Sequence, residues 1–262
     1  MGLALLMDWG ALSVLHPDFV KLPDTPQNPK WHPEGDVWTH TKMAVDEAAS
    51  LTRQRQLATD ERWHVLVATL CHDLGKATTT VWERGAWRSP GHDAAGVEPT
   101  QRFLRSVSAD RRTTGIVVPI VRQHLVPLRQ SQAAARGTPV TDGSVRQLAR
   151  RLHPATIFLL TLVSDADLRG RGSSSAHFRS GEVEAGARLR ERAERLGVLV
   201  GPPLSILRGA DLLSLGIPPG PAFGSILRRA EELRDERGET VETLRERLRG
   251  ASSSEDALRR LS

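Results

Sequence analysis

The sequence predicts an all-α fold, and three observations carry that expectation. From Val37 to about Arg169, apolar residues recur at helical spacing. Strand-prone residues are confined to one short stretch, Thr78 to Arg88. The last 40 residues interleave glutamates and arginines at helical spacing. At 262 residues the chain is long enough for one large core with an appendage.

The elements follow in order. Residues 1–15 read as a short apolar helix. Pro17, Pro23, Pro26, Pro29 and Pro33 break regular structure over residues 16–36, which predicts a long ordered loop. Thr39 to Ala58 is helical, with Met43, Val45, Ala48, Ala49 and Leu51 apolar. Thr59 or Asp60 caps the next helix, which buries Val65, Leu66, Ala68, Thr69 and Leu70. Gly75 is expected to end it in a left-handed conformation. Thr78 to Arg88 reads as a small hairpin turning at Glu83-Arg84-Gly85. Further helices are expected at 92–107, 110–125, 142–152 and 154–169. The run Ile157 to Val163 is apolar all round and belongs at the centre of the core. Residues 170–181 read as a flexible loop, followed by a charged helix from Gly181 to Leu196. Pro202, Pro203, Pro218, Pro219 and Pro221 mark a boundary, giving a main domain over 1–200 and a helical tail over 201–262.

Composition narrows the function classes. Hydrophobic residues make up 39% and charged residues 26%, as in an ordinary globular protein. No apolar run approaches the roughly 18 residues a membrane helix needs. The apolar start, Leu3 to Met7, is too short for a signal sequence. Cys71 is the only cysteine, which excludes an intramolecular disulfide and a cysteine-built zinc site. The expected location is the cytoplasm. Net charge is +5, with lysine only at positions 21, 30, 42 and 76, so arginine dominates. That balance suits anionic partners, nucleic acid among them, although solvated helix faces account for it equally. With no tyrosine and five phenylalanines, a sheet that stacks RNA bases on paired aromatics is disfavoured.

The chemistry lies in the nine histidines. His72-Asp73 closes the apolar helix LVATLCHDLGK. Both residues are ligand-capable, and a buried pair costs several kcal/mol unless satisfied. A metal ion satisfies both, and imidazole with carboxylate suits Mn, Fe, Co, Ni or Zn better than Mg. Further ligands come from His40, His92, His124 and either Asp165 or Asp167, each on a different predicted helix or its edge. A helical bundle brings such residues to one point.

In the order His40, His72-Asp73 and a later Asp, the chain resembles the HD-domain metal-dependent phosphohydrolases. It is more closely similar to the HD domain of bacterial CCA-adding tRNA nucleotidyltransferases. The matching stretches are PQNPKWHPEGDVWTHT (26–41), LCHDLGKATTT (70–80), RSPGHDAAGV (88–97), VRQHLVP (121–127) and DADLRGR (165–171). The first also resembles the HD module of RNA end-healing proteins that carry a polynucleotide kinase. LRGADLLSLGIPPGPAFGSILRRAEEL (207–233) resembles the tail that follows the HD domain in the tRNA enzymes. The likeness spans roughly 26–250. These 262 residues contain neither the Gly-Gly-x-Val-Arg-Asp stretch of a nucleotidyltransferase head nor a phosphate-binding kinase loop. The expectation is an HD module with its tail, which adds no nucleotides by itself.

The resemblance implies specific roles. His40, His72, Asp73 and Asp167 would hold the main metal. Asp167 is preferred to Asp165 because the family reads Ala-Asp-x-x-Gly-Arg, here Ala166 to Arg171. His92 and His124 match a second metal position, with Asp73 bridging. The cofactor is one or two divalent ions of Mn, Ni, Co, Fe or Zn. Lys76 would bind a phosphate oxygen. His32 and Arg122 are candidates for substrate contact, and Asp73 or Asp36 for a general base. Trp31, Trp38, Trp82 and Trp87 are expected around the site, where one is able to stack on a base. Plainer roles stand beside these: His92 as a loop histidine near a helix start, His124 as a partly buried helix residue, Lys76 as a charge favoured by the helix dipole, and Cys71 as a small buried side chain. His16, His64, His153 and His177 are assigned structural or surface roles.

The implied activity is hydrolysis of 2′,3′-cyclic phosphates or 2′- or 3′-phosphomonoesters on nucleotides or RNA 3′ ends, tRNA included. The alternatives are a free-nucleotide phosphohydrolase and a non-catalytic RNA-binding partner of a separate nucleotidyltransferase. Oligomeric state is left open.

Overall fold

The computed structural model describes residues 2–172, 174–175 and 184–262. Most of the loop expected over 170–181, the start of the helix expected from Gly181, and His177 lie outside the described residues.

Two short helices, α1 (Gly2–Asp8) and α2 (Ala11–Leu15), replace the single helix expected at the start, because Gly10 turns the chain at φ 70°. The proline-rich loop follows and buries Phe19 and Leu22. Asp36 starts α3 (Val37–Gln54) by accepting a hydrogen bond from the Thr39 amide at 2.8 Å. α4 (Thr59–Cys71) runs directly into His72 and Asp73. The short α5 (Lys76–Thr79) leads into a hairpin of β1 (Val81–Glu83) and β2 (Ala86–Arg88). Arg84 and Gly85 turn it with φ 51° and 73°, as the tightest hairpin loops require.

The stretch expected as one helix over 92–107 is two, α6 (His92–Ala95) and α7 (Val97–Ser106). α8 (Arg111–Gln123) stops short of its expected end, and α9 (Val126–Ala135) follows with Pro127 in its first turn. No separate helix is expected there from the sequence; proline fits a first turn, where no amide partner is lost. α10 (Asp142–Leu152) and α11 (Ile157–Gly170) come next, then α12 (Ala185–Arg195). α13 (Gly209–Ser214), α14 (Phe223–Arg237), α15 (Val241–Leu248) and α16 (Ser254–Arg260) complete the chain. Among the described residues the strands are the two of the hairpin, so the fold is a mostly helical, HD-like bundle.

α11 is the central helix, as its all-round apolarity requires. Every residue from Leu159 to Leu168 is buried, and the helix packs against α3, α4 and α12. Gly170 permits the close crossing with α3, since a Cβ there would lie 2.7 Å from the Ala44 amide nitrogen. The helices from 209 onward share a separate apolar cluster built on Leu212, Ile226, Leu233, Leu244 and Leu248. Arg150 of α10 links that cluster to the main bundle through Glu231 at 3.2 Å and through Asp235. No helix among the described residues is long and apolar enough to cross a membrane.

Gly75 corrects the expectation of a left-handed helix end. It is right-handed, at φ −67° and ψ −19°. Glycine is required there by crowding: a Cβ would lie 2.1 Å from the carbonyl oxygen of His92. The link between α4 and α5 therefore presses on the start of α6, which brings His72-Asp73 and His92 together.

Candidate metal centre

Helix ends supply the cluster. His40 lies in the first turn of α3, His72 caps the C-terminus of α4, His92 opens α6, and His124 caps the C-terminus of α8. Asp167 comes from the last turns of α11, and Asp73 follows His72. All six are buried.

The imidazoles are oriented by the backbone. Nδ1 of His72 lies 2.6 Å from the carbonyl oxygen of Thr69, that of His92 2.7 Å from Ser89, and that of His124 2.7 Å from Val121. In each case the carbonyl three residues back accepts the Nδ1 proton. This assigns the tautomer and leaves Nε2 as a lone pair facing inward.

These lone pairs converge on carboxylates. His72 Nε2 is 3.1 Å from Asp73 Oδ2, and His92 Nε2 is 3.4 Å from Asp73 Oδ1. His40 Nε2 lies 3.0 Å from Asp167 Oδ1 and 3.6 Å from Asp73 Oδ2. Nε2 of His40, His72, His92 and His124 are buried without a hydrogen-bond donor, while Asp73 Oδ2 has the Lys76 ammonium beside it. Acceptors facing acceptors at this range repel in a low-dielectric interior unless a cation stands among them. The donor set therefore fits a divalent ion of the imidazole-and-carboxylate type. Two overlapping groups, His40/His72/Asp73 and Asp73/His92/His124, each have their ligand atoms within 4.8 Å of one another and could hold an ion, with Asp73 common to both.

Electrostatics favour the metal-binding forms of His92, His124, Asp73 and Asp167 and act the other way on His72. Burial pushes His124 down to about 3, reinforced by His72 and His92. Burial likewise lowers His92, against the pull of Asp73. Burial works to raise Asp73 and Asp167, yet both are held well below the usual carboxylate range. His72 and Lys76 overcome it for Asp73; Arg171 and His40 do so for Asp167. His72 is raised: burial lowers it, but Asp73 and Asp167 together prevail. The two buried carboxylates thus draw positive charge to the centre.

The cluster opens into a cleft of about 350 Å³. Lys76 lines it, with Nζ 2.7 Å from Asp73 Oδ2 and 2.8 Å from Gln27 Oε1. His32 lines it too, its ring centroid 4.9 Å from that of His40.

Of the two aspartates of α11, Asp165 turns from the cluster to pair with Arg190 at 2.7 Å, and Asp167, the preferred candidate, lies beside His40. Three expectations are corrected. Arg122 is exposed and is not part of the cleft wall, because it sits two residues from His124 and so on another face of α8. Asp36 is committed to capping α3, with its carboxylate also accepting the Thr39 hydroxyl at 2.9 Å. The four tryptophans do not gather: Trp31 and Trp87 line the cleft, Trp38 packs in the core against Phe19, and Trp82 stands 61% exposed on the hairpin.

Three residues at the site are not marked by any periodic pattern in the sequence. Glu34 Oε1 lies 2.9 Å from His32 Nδ1 and 2.7 Å from His40 Nδ1. Gln27 holds Lys76, and Arg171 holds Asp167. Glu34 and Gln27 sit in the proline-rich loop, where no periodicity reports orientation. For Glu34 the one available signal was an acid two residues after a histidine.

No protein-family model matches the chain. A multifunctional CCA protein of Halorhodospira halophila (strain DSM 244 / SL1) is 36% identical over 172 residues, which is 66% of this chain and 38% of that protein. A multifunctional CCA protein of Xylella fastidiosa (strain M23) is 30% identical over 225 residues, 80% of this chain and 50% of that protein. The chain is a homologue of the multifunctional CCA proteins. It spans half or less of the length of these relatives. The likeness fits their HD module without the nucleotidyltransferase head. Together with the buried His/Asp groups, it suggests an HD-type metal-dependent hydrolase.

Proposed function

We propose that this protein is a metal-dependent phosphohydrolase that opens 2′,3′-cyclic phosphates, or removes 2′- or 3′-phosphates, at the ends of RNA or on nucleotides. The observation that carries the reading is the ring of inward-facing, unpartnered imidazole nitrogens around Asp73, with Lys76 and Arg171 in the same cleft. Such a site combines a place for divalent ions with fixed positive charge, the two things phosphoryl chemistry needs.

His40, His72, Asp73 and Asp167 would hold one ion, and Asp73, His92 and His124 a second. When bound, a divalent ion of Mn, Ni, Co, Fe or Zn supplies hydroxide near neutral pH and neutralises developing charge. The chain's own groups do the rest. Lys76, anchored by Gln27, offers an ammonium to a phosphoryl oxygen. Arg171 keeps Asp167 ionised and positioned. Asp73 is too well stabilised as a carboxylate to be a strong base, so its part is to hold the centre and Lys76. His32 stands at the cleft wall, placed to meet the substrate. Residues 1–200 form the hydrolase module in this reading, and the arginine-rich helices over 201–262 serve an RNA partner, tRNA included.

The test is product release from adenosine 2′,3′-cyclic phosphate, 2′-AMP and 3′-AMP by metal-stripped protein, with Mn, Co, Ni, Zn or Mg restored and His72→Ala as blank. Metal-dependent turnover that the variant abolishes supports the reading, and the preferred ester names the substrate class. No turnover with any metal refutes it and favours a non-catalytic RNA partner.

A further inference from the structure

The cleft has a chemistry that hydrolysis of phosphate alone does not require. Its lining holds Asp73, Lys76 and Arg171, and with them the apolar side chains of Leu125 and Leu128 and the indole of Trp87. Phosphate has no use for these apolar groups; a nucleobase does.

Of the tryptophans near the site, Trp87 is the best placed as a stacking surface. Trp38 is consumed by the core, and Trp82 does not line the cleft. Trp31 lines it but carries the Lys30 ammonium over its ring at 4.7 Å. Trp87 lies directly opposite Trp82 in the hairpin register, and their ring centroids are 5.1 Å apart at 71°. This T-shaped contact is a favourable aromatic geometry, so Trp82 buttresses the indole that faces the cleft. The strand ends are tied by Thr80 and Ser89, whose hydroxyls are 2.8 Å apart. Three-residue strands make a marginal hairpin, and this one is stapled so that it presents Trp87 to the cleft.

We infer that Trp87 is the base-stacking wall of the cleft: the scissile phosphate lies toward Asp73 and Lys76, and the base of the same nucleotide lies on the indole. A cavity of about 350 Å³ is at the small end for ligand sites and takes one nucleotide rather than a run of them. The substrate class is therefore a nucleoside phosphate, free or at a chain terminus, and not a simple phosphate ester. This rests on the phosphohydrolase reading given above.

The experiment compares adenosine 2′,3′-cyclic phosphate with glycerol 1,2-cyclic phosphate, which keeps the strained ester and lacks the base. The wild type is expected to prefer the adenosine ester in kcat/KM. Trp87→Ala should cut that preference about 5- to 150-fold, chiefly through KM, the equivalent of about 1–3 kcal/mol of stacking. Trp87→Phe, which keeps an aromatic face and guards against a collapsed hairpin, should retain most of it. An unchanged preference in Trp87→Ala, or equal loss in both variants, overturns the inference. If the wild type turns over neither ester, the hydrolase reading fails, and the base site is judged separately by equilibrium dialysis of adenosine 2′-monophosphate. Binding weakened at least fivefold by Trp87→Ala but not by Trp87→Phe then supports the stacking wall; equal binding by all three proteins overturns it.

Discussion

Arg171 closes a fork on Asp167: Nη2 donates to both carboxylate oxygens at 2.7 and 2.9 Å, and Nε donates to Oδ1 at 3.1 Å. Both side chains are buried. Removing one partner of a buried pair leaves the other charge uncompensated, at a cost of about 3–5 kcal/mol. Arg171→Ala should therefore destabilise the metal-free protein by about that amount, read from urea midpoints. Saturating metal should narrow the gap, because a cation on Asp167 replaces the lost guanidinium. A gap that metal leaves unchanged would separate Asp167 from the centre.

Asp165 and Asp167 are two residues apart on α11 and have opposite surroundings. Asp165 faces Arg190 and Asp167 faces His40. Asp167→Ala is expected to weaken metal binding by more than the roughly 10- to 100-fold typical of an outer partner. Asp165→Ala should cost stability through Arg190 and leave metal affinity near the wild-type value. Isothermal titration of each variant with Mn or Co decides this, and the reverse pattern would move the ligand to Asp165.

The contact between Gly75 and the His92 carbonyl leaves no room for a methyl group. Gly75→Ala should destabilise the fold by about 3 kcal/mol, the upper end for overpacking, and should weaken the His92/His124 position before the His40/His72 position. Thermal melts, together with metal stoichiometry at equilibrium, check both parts.

Acid should loosen the metal-free protein in a definite window. His124 is held at about 3 in the fold against an ordinary 6.5, so below 6.5 the unfolded chain binds the extra proton. Its contribution is present above 6.5 and is lost as pH falls toward 3. His32 and His92, lowered chiefly by burial, act the same way, while His72, raised, acts against them. By pH 5 the loss through His124 alone amounts to about 2 kcal/mol. Urea midpoints at pH 7.5 and 5.0 should therefore fall further for metal-stripped wild type than for His124→Gln. Equal falls would contradict a neutral, buried His124.

Much of this architecture was legible because helices report their faces. LVATLCHDLGK located α4 and its His-Asp end, the all-round apolarity of Ile157 to Val163 placed α11 at the centre, and the strand-prone stretch with its Arg84-Gly85 turn gave the hairpin. His40, His72, Asp73, His92, His124 and Asp167 were all nominated, and the fold brings them to one place. What failed had physical causes. Charge alone does not say which face of α8 Arg122 takes. Asp36 has a capping geometry open to it that competes with any role as a base. Gly75 is set by crowding from a segment 17 residues on, which local conformational preference does not contain. Glu34 and Gln27 lie in a loop without period, so only the folded chain shows them beside His40 and Lys76.

The central claim is that the buried His/Asp cluster holds divalent metal. The measurement that meets it most directly is cobalt titration of metal-stripped protein, followed by visible absorption and equilibrium dialysis, for the wild type and for His72→Ala and His124→Ala. Saturable binding of one or two ions is expected, with visible bands from nitrogen and oxygen ligands. His72→Ala should abolish the tight ion, and His124→Ala should remove only the second. Wild-type protein that takes up no cobalt at millimolar concentration, or variants that bind it as the wild type does, would contradict the account.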